Sequence, residues 1–148
     1  MNIKLPELNL PPITSQIEFD EDKYYIIDIV RKKRLVLTPE EWVRQHIINW
    51  LLLSNYPLNL IQVESGLRYN TRKKRADIVV YDRSGNPFFL IECKASTINL
   101  DSKVCQQLAV YNTKLNCPFV MISNGLQHFV WNTLTMEQMN KLPIYNEI

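Results

Sequence analysis

Two acids and a lysine fall close together in the stretch RADIVVYDRSGNPFFLIECKAS, residues 75–96. Asp77 opens one apolar run, and Glu92, Cys93 and Lys94 close the next. Carboxylates a few ångström apart repel, which raises the proton affinity of one of them unless a cation lies between. Magnesium suits such a pair: it prefers hard oxygen ligands, takes one or two carboxylates, and fills its octahedron with water and phosphate oxygens. Lys94 is no ligand while protonated, but its ammonium can hold an attacking water or offset charge growing on phosphorus. The set fits hydrolysis of a phosphodiester.

These residues need a scaffold that brings them together. Ile78 to Tyr81 and Phe88 to Ile91 are β-branched and aromatic runs separated by turn-forming Ser84, Gly85 and Asn86, the pattern of a β-hairpin. A loop centred on Ser84 and Gly85 sets Asp77 opposite Glu92, and alternation along the strand puts Glu92 and Lys94 on one face. A slip of one residue would turn Asp77 to the other face. Both runs are apolar on both sides, so the pair is expected between two layers.

Helices are predicted on either flank. Thr38 is a candidate N-cap, with Pro39 at the first position and Glu40 and Glu41 in the first turn of a helix reaching about Leu53. Val43, Ile47, Trp50 and Leu51 give it an apolar face that Ile48 and Leu52 widen. Glu41 lies on the side of Gln45. Taken alone, it is either a charge favouring the positive helix end, worth about 0.5 kcal/mol, or an acid serving a metal. Asp101 or Ser102 begins a second helix in which Val104, Leu108, Tyr111 and Leu115 recur at helical spacing. Gln107 and Tyr111 are surface neighbours on that helix, and Tyr111 alone reads as a core residue.

The order of these features resembles the PD-(D/E)xK nuclease superfamily. More narrowly, TPEEWVRQ, RADIVVYD, LIECKAS, QLAVY and SNG resemble the N-terminal nuclease domain of the restriction subunit of type I restriction enzymes, over roughly residues 35–132. The resemblance implies a restriction-endonuclease-like α/β core. It implies Asp77 and Glu92 as metal ligands joined by the Cys93 carbonyl, and Lys94 as catalytic lysine. It makes Glu41 the helix-borne acid at the metal site, with Glu40 and Glu64 as competitors, and Gln107 with Tyr111 a Q-x-x-x-Y element that contacts DNA or orders the centre. Ala76 stands where the name-giving proline would be. The expected activity is a Mg²⁺-dependent DNA endonuclease, with Mn²⁺ able to substitute. It would act alone, as a homodimer or with restriction-modification subunits. The alternative is a catalytically silent DNA-binding or assembly module.

Composition bounds the rest. At 148 residues and 46% hydrophobic content the chain is expected to be one domain with a core that needs no staples. Three glycines and no glycine-rich phosphate loop exclude an ATP-driven translocase within these residues. The net charge is only +2, yet eight of the 17 basic residues form two tetrads, Arg31 to Arg34 and Arg72 to Arg75. Either tetrad can be a solvated turn. Arg72, Lys73, Lys74 and Arg75, directly before Asp77, are also placed to hold DNA backbone phosphates. Cys93, Cys105 and Cys117 lack zinc-site spacing and read as reduced core residues, and His46 and His128 as structural or surface histidines. No apolar stretch spans a bilayer and Met1 to Asp20 shows no leader pattern, so a cytoplasmic location without membrane contact is expected.

The chain divides into residues 1–37, 38–132 and 133–148. The first part is an extended proline-containing arm, Leu5 to Thr14, and an accessory hairpin of Tyr24 to Val30 with Leu35 to Leu37 around the first tetrad. The second is the core, with strands near Leu60 to Glu64, Phe119 to Ile122 and Gln127 to Trp131 added to the hairpin. The third is a tail with a helical turn over Met136 to Leu142. The expected sheet is mixed, with a helical crossover placing the strand after the second helix beside the hairpin.

Overall fold

The computed structural model describes residues 4–63, 77–112 and 116–145. Its main sheet has six strands: β4 (Ile61–Val63), β5 (Ile78–Tyr81), β6 (Pro87–Cys93), β7 (Phe119–Ser123), β8 (His128–Asn132) and β9 (Glu137–Met139), in that spatial order. Every neighbouring pair is antiparallel except β6 and β7. Helix α1 (Pro39–Leu53) covers one face, and α2 (Ser102–Asn112) crosses the other to join β6 to β7.

The local chemistry explains these elements. The Thr38 side chain accepts from the Glu41 amide at 3.0 Å, capping α1, and Asp101 Oδ1 accepts from the Val104 amide at 3.1 Å at the start of α2. At the β5–β6 turn, Asp82 Oδ1 accepts from the amides of Ser84 and Asn86, both at 2.9 Å, and Gly85 takes a φ of +86°. Ile78 pairs with Ile91, Val79 with Leu90 and Val80 with Phe89, the expected register, and a bulge follows between Val80 and Tyr81.

Alternation splits the strands between two cores. Ile78, Val80, Phe89, Ile91, Cys93 and Met121 pack with Val43, Ile47, Ile48 and Leu51 of α1. Val79, Leu90, Val120 and Ile122 pack with Cys105, Leu108 and Ala109 of α2. The buried stripe of α2 therefore differs from the expected one: Val104 is 39% exposed, and small Cys105 and Ala109 let the helix approach the sheet. Leu115 lies outside the described residues. The three cysteines are free and buried. No described helix is long and apolar enough to cross a membrane.

Two segments differ from expectation. The accessory element has three strands, β1 (Ile17–Asp20), β2 (Lys23–Asp28) and β3 (Lys33–Val36), because Glu21 and Asp22 with positive φ make a tight turn that adds β1. The first tetrad is split between the β2–β3 turn and β3. The Met136 to Leu142 segment is not helical. Asn132 Oδ1 accepts from the amides of Leu134 and Thr135, Met136 turns with φ +54°, and the chain returns as β9 along β8. The N-terminal arm packs along α1, where its Pro6 and Pro12 carbonyls accept from Trp42 Nε1 and Asn49 Nδ2.

Asp28, fully buried at the end of β2, organises the β2–β3 turn: its Oδ1 accepts from the amides of Val30 and Arg31, both at 2.8 Å. Burial raises its proton affinity, but the Arg31 amide, the Arg31 side chain and Gln45 outweigh this and hold the carboxyl below its usual 3.8. A depressed carboxyl contributes stability that is complete above the unfolded value and lost as pH falls through the folded one. Thermal melts should therefore show a loss of stability below about pH 4 that is shallower in Asp28→Asn. Phe89→Ala, at the fully buried centre of the α1 side, should lower the unfolding free energy in urea by about 3–5 kcal/mol.

Candidate active site

Strand geometry delivers the sequence-predicted residues to one end of β5 and β6. Beyond the last ladder pair, Asp77 Oδ2 accepts from the Cys93 amide at 2.7 Å, so a side chain continues the β5–β6 pairing where the backbone leaves it. One residue on, the Lys94 amide donates to the Ser123 carbonyl at 2.8 Å, which pins β6 to β7 next to the site. Glu92 and Lys94 share a side as the alternation requires, and Lys94 Nζ lies 3.1 Å from Glu92 Oε1.

Helix α1 supplies the other wall. Arg44 reaches Asp77 Oδ1 with Nη2 at 3.1 Å and Glu41 Oε1 with Nη1 at 2.7 Å, so one guanidinium joins the two acids. Glu41 Oε2 accepts from Gln45 Nε2 at 3.1 Å, and its Oε1 lies 3.4 Å from Arg31 Nη2. Arg31 and Gln45 in turn hold Asp28 Oδ2, at 2.8 Å and 3.1 Å. Glu41 thus faces the site through Arg44. Glu40 is exposed on the first turn of α1, and its charge acts on both Cys93 and Lys94.

The electrostatics follow from burial. Desolvation pushes the Asp77 carboxyl above its ordinary value; the Cys93 amide and Arg44 oppose the rise, and the Glu92 charge adds to it. Burial would lower the Lys94 ammonium, but Glu92, Glu40 and Asp77 outweigh that and raise it, so the lysine stays protonated. Burial first, then Asp77, pushes the Cys93 thiol well up, so it is not a reactive thiolate. Burial also opposes the charge of Arg44, and Glu41 and Asp77 restore it.

Gln107 is exposed on α2, beside a shallow cleft lined by Lys103, Gln106 and Val110. Tyr111 belongs to α2, and its side chain is outside the described part of the structure. Glu64 and the tetrad Arg72, Lys73, Lys74 and Arg75 also lie outside the described residues. Among the described residues, no three His, Cys, Asp or Glu side chains converge on one point as metal ligands would. Two carboxylates and a main-chain carbonyl are a hard-oxygen donor set, and they fit an ion that keeps several waters, as magnesium does, rather than one caged by protein.

Arg44, Arg31, Gln45 and Asp28 are the residues that motif reading passed over. A signal for two of them was present: Arg44 and Gln45 sit three and four residues after Glu41 in a helix otherwise apolar on this side. Nothing local in the sequence ties Asp28 to them.

A six-stranded mixed sheet between two helices, with acids and a lysine at its strand ends, defines an α/β domain of nuclease-like build. Residues 39–143 match the family model of the type I restriction enzyme R protein N terminus (HSDR_N). The chain belongs to this family, and so to the domains related to restriction-system nucleases. No curated protein matches it.

The pairing of Lys94 with Glu92 is directly measurable. In Glu92→Gln the burial of Lys94 loses its main counterweight, so the ammonium should titrate at lower pH than in the wild type. Side-chain NMR of Lys94 across an alkaline titration reads this shift, and an unchanged titration would remove Glu92 as its cause.

Proposed function

We propose that the protein is a Mg²⁺-dependent DNA endonuclease, with Mn²⁺ able to replace Mg²⁺. The reading is carried by one observation: Lys94 Nζ lies 3.1 Å from Glu92 Oε1, at the strand end where Asp77 accepts from the Cys93 amide. In this reading Asp77, Glu92 and the Cys93 carbonyl bind the ion. When bound, it would supply Lewis-acid stabilisation of the charge that grows on the phosphate during in-line attack. Lys94, with 38% of its side chain exposed, reaches from the protein surface toward water or a phosphate oxygen and orients either one. Glu41 serves the site indirectly, by fixing Arg44 against Asp77. Gln107 with Tyr111 would contact the nucleic acid or order the centre, and Arg72 to Arg75 would hold backbone phosphates. The substrate is DNA in the setting of a restriction system, with the domain acting alone, as a homodimer or beside restriction-modification subunits.

A second reading has its own support. Lys94 and Arg44 already pair with Glu92 and Asp77, so each of these acids has a cationic partner without an ion. A catalytically silent DNA-binding or assembly module would need nothing more.

Plasmid nicking with Mg²⁺ or Mn²⁺ separates the two. The wild type is expected to nick or cut, and Asp77→Ala and Lys94→Ala to lose roughly 100-fold or more of that rate. Equal rates in all three proteins would assign the activity to another site and overturn the proposal. The silent module would give no cleavage, but DNA affinity falling with salt by about 0.9 logarithmic units for each phosphate contacted.

A further inference from the structure

The chain of contacts that ends at Asp77 begins outside the part of the sequence that matches the family. Asp28 and Arg31 belong to the accessory sheet and its turn, ahead of residue 39, where the match starts. From there the contacts run through Arg31 Nη2 to Glu41 Oε1 (3.4 Å), from Glu41 to Arg44 Nη1 (2.7 Å), and from Arg44 Nη2 to Asp77 Oδ1 (3.1 Å). Gln45 Nε2 closes a parallel path, 3.1 Å from both Asp28 Oδ2 and Glu41 Oε2. Three of the side chains are buried and two half-buried: relative exposures are 0% for Asp28, 16% for Arg31, 7% for Glu41, 8% for Arg44 and 20% for Asp77. Asp77, where a ligand would arrive, is the most exposed of the five.

The geometry restricts what this chain can be for. A structural ion pair needs two charges; here three carboxylates alternate with two guanidiniums across three separate elements, and the terminal carboxylate has both oxygens directed. Oδ1 is drawn to Arg44 and Oδ2 to the Cys93 amide, which together fix the rotation of the carboxylate plane about its Cβ–Cγ bond. Each carboxylate oxygen retains a further lone pair. Only a guanidinium presents two nitrogens in a planar fork to two acids at once, so a lysine at position 44 would hold one acid and release the other.

We propose that Arg44 is a positioning residue for the ion site, anchored through Glu41 and Arg31 on Asp28, so that the accessory sheet sets the posture in which Asp77 meets a divalent cation. This rests on the magnesium reading above for its purpose, but the positioning of Asp77 exists without any ion. Arg44 touches neither substrate nor ion; it acts through Asp77. The accessory sheet is then a part of the site, and loss of its buried acid is felt at the far end of the chain.

The test uses the full chain and two readouts. The first is the amide resonance of Cys93 in the metal-free protein, which a charge-assisted bond to Asp77 shifts downfield and protects from exchange. The second is Mn²⁺ affinity by electron paramagnetic resonance. The variants are Arg44→Lys, Asp28→Asn and the double change Glu41→Gln with Arg44→Gln, which replaces a buried ion pair by two amides and leaves no orphan charge between them. In folded double variant the Cys93 amide should lose its shift and protection, and Mn²⁺ should bind about tenfold more weakly. Arg44→Lys should show the same changes in smaller degree, and Asp28→Asn should weaken Mn²⁺ binding although it lies remote from the ion. If the double variant does not fold, Arg44→Lys and Asp28→Asn decide by the same two readouts. An unchanged Cys93 amide, or Mn²⁺ binding equal to wild type across the folded variants, would overturn the proposal. A wild type that takes up no Mn²⁺, with a Cys93 amide that still responds to Arg44, would keep the positioning role and remove the magnesium reading alone.

Discussion

Arg44 lies between two acids in a place water barely reaches, and much of the structure follows from keeping that charge paired. A buried charge is tolerated only when paired and hydrogen-bonded, so Arg44 ties the first turns of α1 to the end of β5 through Glu41 and Asp77. Glu41 then needs a partner for its other oxygen, which Gln45 provides, while Arg31 approaches the oxygen that Arg44 holds. Arg31 and Gln45 lead to Asp28, and the accessory sheet becomes a fixed neighbour of the core. Such chains are poor sources of net stability, because desolvation offsets much of the Coulomb gain. What they provide is a single arrangement: a shift of α1 along the sheet would leave several charges unpaired at once.

The apolar scaffold makes that arrangement possible. Strands β5, β6 and β7 are buried on both faces, so their polar residues collect at the strand ends. The antiparallel β5–β6 register brings Asp77 beside Cys93, and the parallel β6–β7 contact fixes Lys94 through Ser123. A parallel neighbour requires a crossover, and α2 is that crossover. It reaches the sheet closely because Cys105 and Ala109 are small.

The N-terminal arm completes the frame on the opposite side of α1. Half-buried His128, its basicity lowered by desolvation, places Nε2 3.0 Å from the Asn9 carbonyl and Nδ1 2.7 Å from the Ser123 hydroxyl, while the Asn9 amide donates to the Gly125 carbonyl. Gly125 has φ +85°, which favours glycine in the turn after β7, and the end of the Leu8 side chain packs over it, 2.9 Å from where a Cβ would stand. The strand that carries Ser123 next to the site is therefore also clasped by the arm.

Local sequence alone determined the caps of both helices, the β5–β6 register and the placing of Glu92 and Lys94 on one side. Capping, turn chemistry and the two-residue period of a strand act over a few residues, so nothing distant can easily overrule them. The signals failed where distant partners decide. The third accessory strand and β9 are short edge elements whose pairing partner, not their own composition, makes them strands, and the buried face of α2 was set by which residues let the sheet come close. Tertiary structure alone decided that Arg44 meets Asp77 as well as its helix neighbour Glu41, and that Asp28 belongs to the same chain of contacts as Asp77. The links from Arg31 to Glu41, from Gln45 to Asp28 and from Arg44 to Asp77 join residues 10 to 33 positions apart in sequence, and a charge buried there is stable only once all of its partners have arrived together.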